Sequence, residues 1–302
     1  MKNIGKYRFY VLAAAFLWGC VGIYFRELSD MGIDPLPLIF IRTSVATFGL
    51  SIWFILKDRN AFRIRLKDLW CFLGTGIISL LMHNIFYIRA IGEVGLAIAG
   101  VLLYTAPAFV TIISAILFKE KLKLFGWFIL SFVILGCAFV SGVIGNKSGI
   151  NVPGILFGLG AGFGYALYSI FGRYAFNKGY SAQTITFYTF AICTVGCITL
   201  AFSTGADFSL PTHEPRFWLL SATLGTLGCL FPYWLYTKGL SGLTGASASI
   251  TATFEPVVAV LFGMILYNEY LSVWQIAGII FVLGGIIILA KINSPQKQEN
   301  SE

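Results

Sequence analysis

Pro107-Ala108-Phe109-Val110-Thr111-Ile112-Ile113-Ser114-Ala115-Ile116-Leu117-Phe118-Lys119-Glu120 returns, 149 positions later, as Pro256-Val257-Val258-Ala259-Val260-Leu261-Phe262-Gly263-Met264-Ile265-Leu266-Tyr267-Asn268-Glu269. Each copy opens on a proline, carries Ile-Leu near the end of its apolar run, and places a glutamate thirteen positions after the proline. The same offset superimposes Tyr87 on Tyr236, Ala97 on Ala246, Ala99 on Ala248, Leu122 on Leu271, Phe132-Val133 on Phe281-Val282 and Gly136 on Gly285. Apolar coincidences are cheap in apolar sequence. The proline and glutamate matches carry the inference that the chain is internally duplicated.

Working outward, the 302 residues are 58% hydrophobic and 11% charged, with mean hydropathy +0.84. Ordinary globular domains are about 25% charged, so soluble readings are excluded. Apolar stretches of spanning length fall at 7–25, 35–56, 69–90, 94–117, 124–144, 153–173, 181–203, 216–237, 243–267 and 272–291. At about 20 residues per crossing, they leave no room for a separate soluble domain. The duplication assigns spans one to five to a first repeat (1–146) and spans six to ten to a second (147–292), with a disordered cytoplasmic tail at 293–302. Five is odd, so the second copy enters the membrane from the opposite face. The expected fold is all-α, with ten transmembrane helices in two inverted five-helix repeats, an architecture used by alternating-access transporters.

A net charge of +8 would suggest nucleic acid in a soluble protein. Here it follows from the bias of Lys and Arg toward cytoplasmic loops. Sixteen of the 21 positive residues fall on one side of the map and four on the other (Arg26, Arg89, Lys147 and Arg216), with Arg42 inside span two. Both termini are therefore expected in the cytoplasm of a bacterial-type inner membrane. Met1 to Phe9 superficially resembles the start of a signal peptide, but Tyr10 to Phe25 lacks a cleavage site followed by polar sequence and reads as a retained first helix. The six cysteines form no CxxC pair, and all but Cys71 lie in apolar runs, so they read as small packing residues. No metal, cofactor or nucleic-acid partner is expected; the partners are the lipid bilayer, a small-molecule substrate and, as one option, protons. A monomer and a homodimer both remain open.

Pro107 and Pro256 sit near the middle of spans four and nine. Each removes a backbone donor and frees a carbonyl one turn earlier, at Leu103 and Ala252. Polar backbone at that depth is tolerated only against protein or a water-filled cavity. The alternative is a kink that only aids packing.

The first proline run with Leu117-Phe118-Lys119-Glu120-Lys121-Leu122, together with Glu255-Pro256-Val257, Leu266-Tyr267-Asn268-Glu269-Tyr270-Leu271 and the Gly278 to Gly285 stretch, resembles the two repeat signatures of the drug/metabolite transporter superfamily in its EamA-type ten-helix branch. Arg42 in Phe40-Ile41-Arg42 matches an arginine common early in helix two of that branch. The resemblance covers nearly the whole chain. It implies a secondary carrier with a central cavity lined largely by helices three, four, eight and nine, and members handle amino acids, metabolites, nucleosides and toxic compounds.

Glu255 is the only carboxylate deep inside any span. A charge there costs about 2.5–3.5 kcal/mol on insertion scales, so it must be protonated, paired or in water. It reads as a proton-coupling or cation-binding group, or as a structural acid bonding backbone opened by Pro256. Arg42, the one deep cation, can pair with Glu255, snorkel to the outer interface or bind a substrate carboxylate. His83 and Asn84 are followed one turn later by Tyr87, which shares a helix face with His83. His83 either titrates near neutral pH or hydrogen-bonds a neighbouring helix. Trp18, Tyr104, Tyr165, Tyr168, Tyr233, Trp234 and Tyr236 are candidate cavity aromatics, suited to aromatic amino acids or, through cation–π contact, organic cations; bulky core filler is the plain alternative. Gly158, Gly160, Gly162 and Gly164 form two overlapping GxxxG patterns and a smooth face for close helix contact. Glu120 and Glu269 suggest capping or gate contacts on opposite faces.

An intramembrane enzyme needs paired acids, a Ser–His set or metal ligands such as HExxH. One acid and one histidine within the spans supply none of these, and no P-loop is present. The expected function is export of small amphipathic metabolites, amino acids first, with proton coupling through Glu255 as an option. Uptake of metabolites such as nucleosides, a channel and a receptor are the competing readings.

Overall fold

A computed structural model describes residues 4–119, 124–140, 152–205, 208, 210–267 and 272–292. Every regular element among them is a helix. Eight helices are long and apolar enough to cross a membrane, and two shorter apolar helices, Leu124–Phe139 and Val273–Ile288, complete ten. The largest shift from the sequence map is the third span, expected at 69–90 and found at Leu66–Gly95. Large apolar side chains such as Phe48, Leu124, Phe202 and Val273 stand outward. This suits a hydrocarbon solvent, which demands internal satisfaction of the backbone but not apolar burial.

The first repeat runs α1 (Ile4–Gly19), α2 (Val21–Asp30), α3 (Pro35–Lys57), α4 (Leu69–Leu73), α5 (Met82–Leu103), α6 (Ala106–Phe118) and α7 (Leu124–Val140). The second runs α8 (Val152–Asn177), α9 (Ala182–Thr204), α10 (Pro215–Gly225), α11 (Phe231–Leu240), α12 (Gly245–Ala252), α13 (Phe254–Tyr267) and α14 (Val273–Ile292). Local chemistry sets the boundaries. Pro35 opens α3, where its missing N–H is harmless. Ser181 Oγ and Thr244 Oγ1 cap α9 and α12 by accepting from the N–H groups of Thr184 and Ser247. Ser272 and Gln275 form a reciprocal capping box at α14. Gly95, at φ 79°, turns the chain inside α5 from the third span to the fourth.

The duplication is visible as reciprocal contact. Phe132 stacks on its own repeat mate Phe281 with ring centroids 4.0 Å apart. Gly136 of α7 faces Phe281 and Val282, and its mate Gly285 of α14 faces Val133. Contacts that exchange partners in this way mark a twofold axis, and here it passes between spans five and ten. The pairing of α1 with α11 likewise recurs as that of α8 with α5. In the α8–α5 pair the glycine stripe acts as expected. A Cβ at Gly158 would collide with Leu102, at Gly160 it would lie 2.6 Å from Phe86, and at Gly164 2.9 Å from the Cβ of His83.

Five of the six cysteines are buried and all are free thiols, in keeping with packing roles. Cys71 corrects the expectation that it stands outside the apolar runs: it is fully buried with Phe72, Ala175 and Ile185. Glu120, Glu269 and the tail lie outside the described residues.

Candidate functional site

Both expected helix breaks occur. The fourth span stops at Tyr104–Thr105 and resumes as α6 with Pro107 in its first turn, and the ninth stops at Thr253 between α12 and α13, whose first turn holds Glu255 and Pro256. Thr105 and Thr253 each donate a side-chain hydrogen bond of 2.6 Å back to a carbonyl of the preceding turn, Leu102 and Ile250. A Cβ on Gly162 would lie 2.8 Å from the Leu102 oxygen and 3.2 Å from that of Leu103, so α8 seals directly onto the opened backbone.

A second pair of irregularities has no proline to announce it. The third span widens into a π-helix at Gly74–Leu81, and the eighth does so at Thr226–Leu230. The offset of 149 brings their ends together, Leu81 on Leu230. Widened turns in helices often accompany functional sites. The first delivers His83 and Asn84, and the second Pro232 and Tyr233.

The aromatic residues largely converge. Trp18 lies 5.0 Å from Tyr233, 5.5 Å from Tyr236 and 6.2 Å from Tyr165, centroid to centroid. Tyr168 lies 5.3 Å from Tyr233, and the His83 ring 5.6 Å from Tyr165. Tyr168 OH and Thr237 Oγ1 are 2.6 Å apart, and Ser169 Oγ and Tyr236 OH 2.8 Å, which fixes α8 to α11 behind this wall. Trp234 does not join them. One residue on from Tyr233 it points about 100° around the helix, where Lys238 sits over both its ring and that of Tyr10.

Arg42 is buried and donates to Asn84 Oδ1 at 2.6 Å, while Asn84 Nδ2 donates to the Leu80 carbonyl at 2.6 Å. Snorkelling is thereby excluded as its position, and no ion pair joins Arg42 to Glu255 among the described residues. His83 Nδ1 lies 3.2 Å from the Ser79 carbonyl, one turn back. Glu255 is half-buried, as are Tyr87, Tyr104 and Tyr165. Around the break at Thr253 Tyr104 packs in one cluster with Ile250, Phe254 and Val257, and Tyr165 packs against Ala106 and Val110. Gly19 of α1 abuts the same turn, since a Cβ there would lie 2.8 Å from the Glu255 carbonyl oxygen. Arg42, Asn84, His83, Trp18, Tyr165, Tyr233 and Tyr236 thus form one contiguous set, while Glu255 stands at the break beside Gly19, Tyr104 packs in the cluster around Ile250 and Val257, and Tyr87 packs with Ala90 and Val94.

Sequence reasoning missed a polar clasp on the basic face. Asp68 is buried and accepts from Arg65 Nε at 2.7 Å and Tyr180 OH at 2.8 Å, with Lys178 Nζ 3.8 Å away. This ties the loop between spans two and three to that between spans six and seven. Arg216 and Glu27 pair across the repeats on the opposite face. The only sequence signal for either was charge, read solely as a marker of orientation.

Near the same face α6 packs against α12, where a Cβ on Gly245 would lie 3.0 Å from Ser114 Oγ and Val110. All eight residues of α12 are buried. The site between the two breaks is therefore backed by tight cross-repeat packing on that side.

Sequence comparisons agree with this architecture. The chain resembles the uncharacterized transporter YwfM of Bacillus subtilis (strain 168), 24% identical over 300 residues, or 98% of this chain and 97% of that one. It is 26% identical over 309 residues to the riboflavin transporter ImpX of Fusobacterium nucleatum subsp. nucleatum, covering 97% and 100% of the two chains. It is 24% identical over 281 residues to the pseudopaline exporter CntI of Pseudomonas aeruginosa, covering 92% and 93%. A solved crystal structure at 16% identity superposes with a TM-score of 0.81 over 96% of this chain and 99% of the other, which speaks to fold alone. The profile of the EamA-like transporter family matches residues 6–142 and 152–291, one match per repeat. The chain is a multi-pass membrane transporter, not an enzyme, and belongs to the EamA-like transporter family.

Proposed function

We propose that this transporter is a secondary carrier that exports amino acids or related small amphipathic metabolites by alternating access, with Glu255 exchanging a proton for substrate. It would sit in the inner membrane, both termini cytoplasmic, as a monomer or homodimer. The observation that carries the reading is the pair of repeat-related helix breaks, Tyr104–Thr105 and Thr253, which pack into one cluster through Tyr104, Ile250, Phe254 and Val257, next to Glu255 in the chain. Discontinuous helices at corresponding positions are the usual signpost of a carrier's midplane site. Glu255 suits exchange because a carboxyl holding a proton offers no charge to a cationic group, so proton and substrate compete for it. Export is favoured over uptake by the pseudopaline exporter among the relatives.

A second reading has its own observation. Trp18 flanked by the rings of Tyr165, Tyr233 and Tyr236 suits a planar heteroaromatic solute, in line with the riboflavin transporter among the relatives. Proteoliposomes loaded with radiolabelled amino acids or riboflavin separate the two. The first reading expects amino-acid efflux to accelerate when the outside is acidified, and Glu255→Gln to abolish that acceleration. Glu255→Gln with unchanged rate and unchanged pH response would remove the coupling role, and riboflavin moving alone would select the second reading.

A further inference from the structure

We infer that the basic face carries a site for the phosphate of an anionic phospholipid headgroup, in a cavity walled by loops of both repeats. The inference is independent of what the carrier moves. The cavity has a volume of about 370 Å³, within the roughly 300–1,000 Å³ of small-molecule sites. Residues of 58–65, after span two, form one wall, and residues of 178–184, at the turn into span seven, form the other. The walls are fixed to each other: Tyr188 OH donates to the Phe62 carbonyl at 2.6 Å and Thr184 Oγ1 to that of Ala61 at 3.2 Å. Arg63, Arg65 and Lys178 line the cavity against one carboxylate, Asp58, which accepts from the Asn60 N–H.

The chain is extended at Arg63 (φ −85°, ψ 114°) and at Arg65 (φ −87°, ψ 132°), so the two side chains point to one side. Asp68 engages Arg65 through Nε alone and stands 3.8 Å from Lys178 Nζ, which leaves donors on both cations. Arg63 is exposed, and its guanidinium has no hydrogen bond or ion pair among the described residues. A planar guanidinium fork matches two phosphate oxygens, and an ammonium adds a point charge. Depth and neighbours point to a lipid as the source. Trp70, two residues past Asp68, is half-exposed with its ring 5.2 Å from that of Tyr174, and Trp and Tyr collect at headgroup level. Leu66, between Arg65 and Lys67, is 85% exposed. Apolar side chains beside the cationic cavity suit a ligand that brings acyl chains with its phosphate, and basic pockets between membrane helices bind such headgroups. Because both repeats wall the cavity, a bound headgroup holds them together.

The test titrates the purified full-length protein in neutral detergent and reads binding from the rise in melting temperature. Its probes are short-chain phosphatidylglycerol, phosphatidylcholine of the same chains, and glycerol 3-phosphate. Phosphatidylglycerol is expected to bind at least about tenfold more tightly than either, and Arg63→Gln to remove about tenfold of that, the scale of one charged hydrogen bond. Arg63 has no partner to lose, so the lipid-free melting temperature of the variant should match wild type. Lys67→Gln removes an exposed cation of the same loop that does not line the cavity. It should weaken phosphatidylglycerol by under about twofold, as for a solvent-screened charge. Equal losses in the two variants would overturn the cavity in favour of diffuse attraction to the basic face. Equal binding of the two lipids, or of neither, would overturn the anionic headgroup. Glycerol 3-phosphate binding as tightly as phosphatidylglycerol would overturn the lipid in favour of a soluble phosphate.

Discussion

Ala106 and Glu255 occupy equivalent positions 149 residues apart, each directly before a proline and just past a helix break, yet Ala106 is fully buried against Val110 and Ala166 while Glu255 is half-buried on a turn that abuts Gly19 of α1. The same inequality runs through the rest of the site. Arg42 of the first repeat has Ala191 as its mate, His83 has Pro232, and Asn84 has Tyr233. The backbone irregularities are duplicated, but the side chains placed on them are not. The symmetric part supplies the two repeats and their paired breaks, and the asymmetric part sets different side chains on them.

The entry helices of the two repeats differ in the same way. Tyr168 and Ser169 bond Thr237 and Tyr236, and α8 runs unbroken for 26 residues. The mates of Tyr168 and Ser169 in the first repeat are Gly19 and Cys20, those of Thr237 and Tyr236 are Ile88 and Tyr87, and there the chain breaks between α1 and α2. The repeat with the hydrogen-bonded rail has a continuous helix; the one without it has a break beside Glu255.

Placing the charge in the wrong repeat should break this comparison most severely. Ala106→Glu buries a carboxylate in a packed site, at about 2.5–3.5 kcal/mol or more. We expect it to abolish monodisperse protein on size-exclusion chromatography, whereas Glu255→Ala keeps the wild-type elution profile. Comparable behaviour of the two variants would deny that the positions differ. A smaller effect sharpens the comparison of rails. Tyr168→Phe removes one buried hydrogen bond, worth about 1 kcal/mol. It should lower the melting temperature in detergent by a few degrees, while Ile88, its partner's mate, can be exchanged for Val with a smaller shift.

Much of the fold was legible because each span is a local event. Twenty apolar residues announce a crossing whatever they pack against, and prolines mark breaks through their missing N–H. Gly158 to Gly164 were legible for the same reason, since spacing alone puts them on one face. The π-helical segments were not, because a widened turn leaves no compositional trace in an apolar run. Partners distant in sequence were equally hidden: nothing near Arg42 points to Asn84, and nothing near Asp68 points to Tyr180. Trp234 shows the converse limit, since adjacency to Tyr233 in sequence put it on a different side of its helix.

Counterflow through proteoliposomes tests the central claim, that two inverted repeats present one site alternately to the two faces. Vesicles preloaded with unlabelled phenylalanine are given a trace of labelled phenylalanine outside. The account predicts saturable uptake and a transient overshoot of label above its equilibrium level, because each inward return of the loaded site is faster than an empty one. Uptake that rises linearly with concentration and ignores the solute on the far side would contradict it, and would point to a pore.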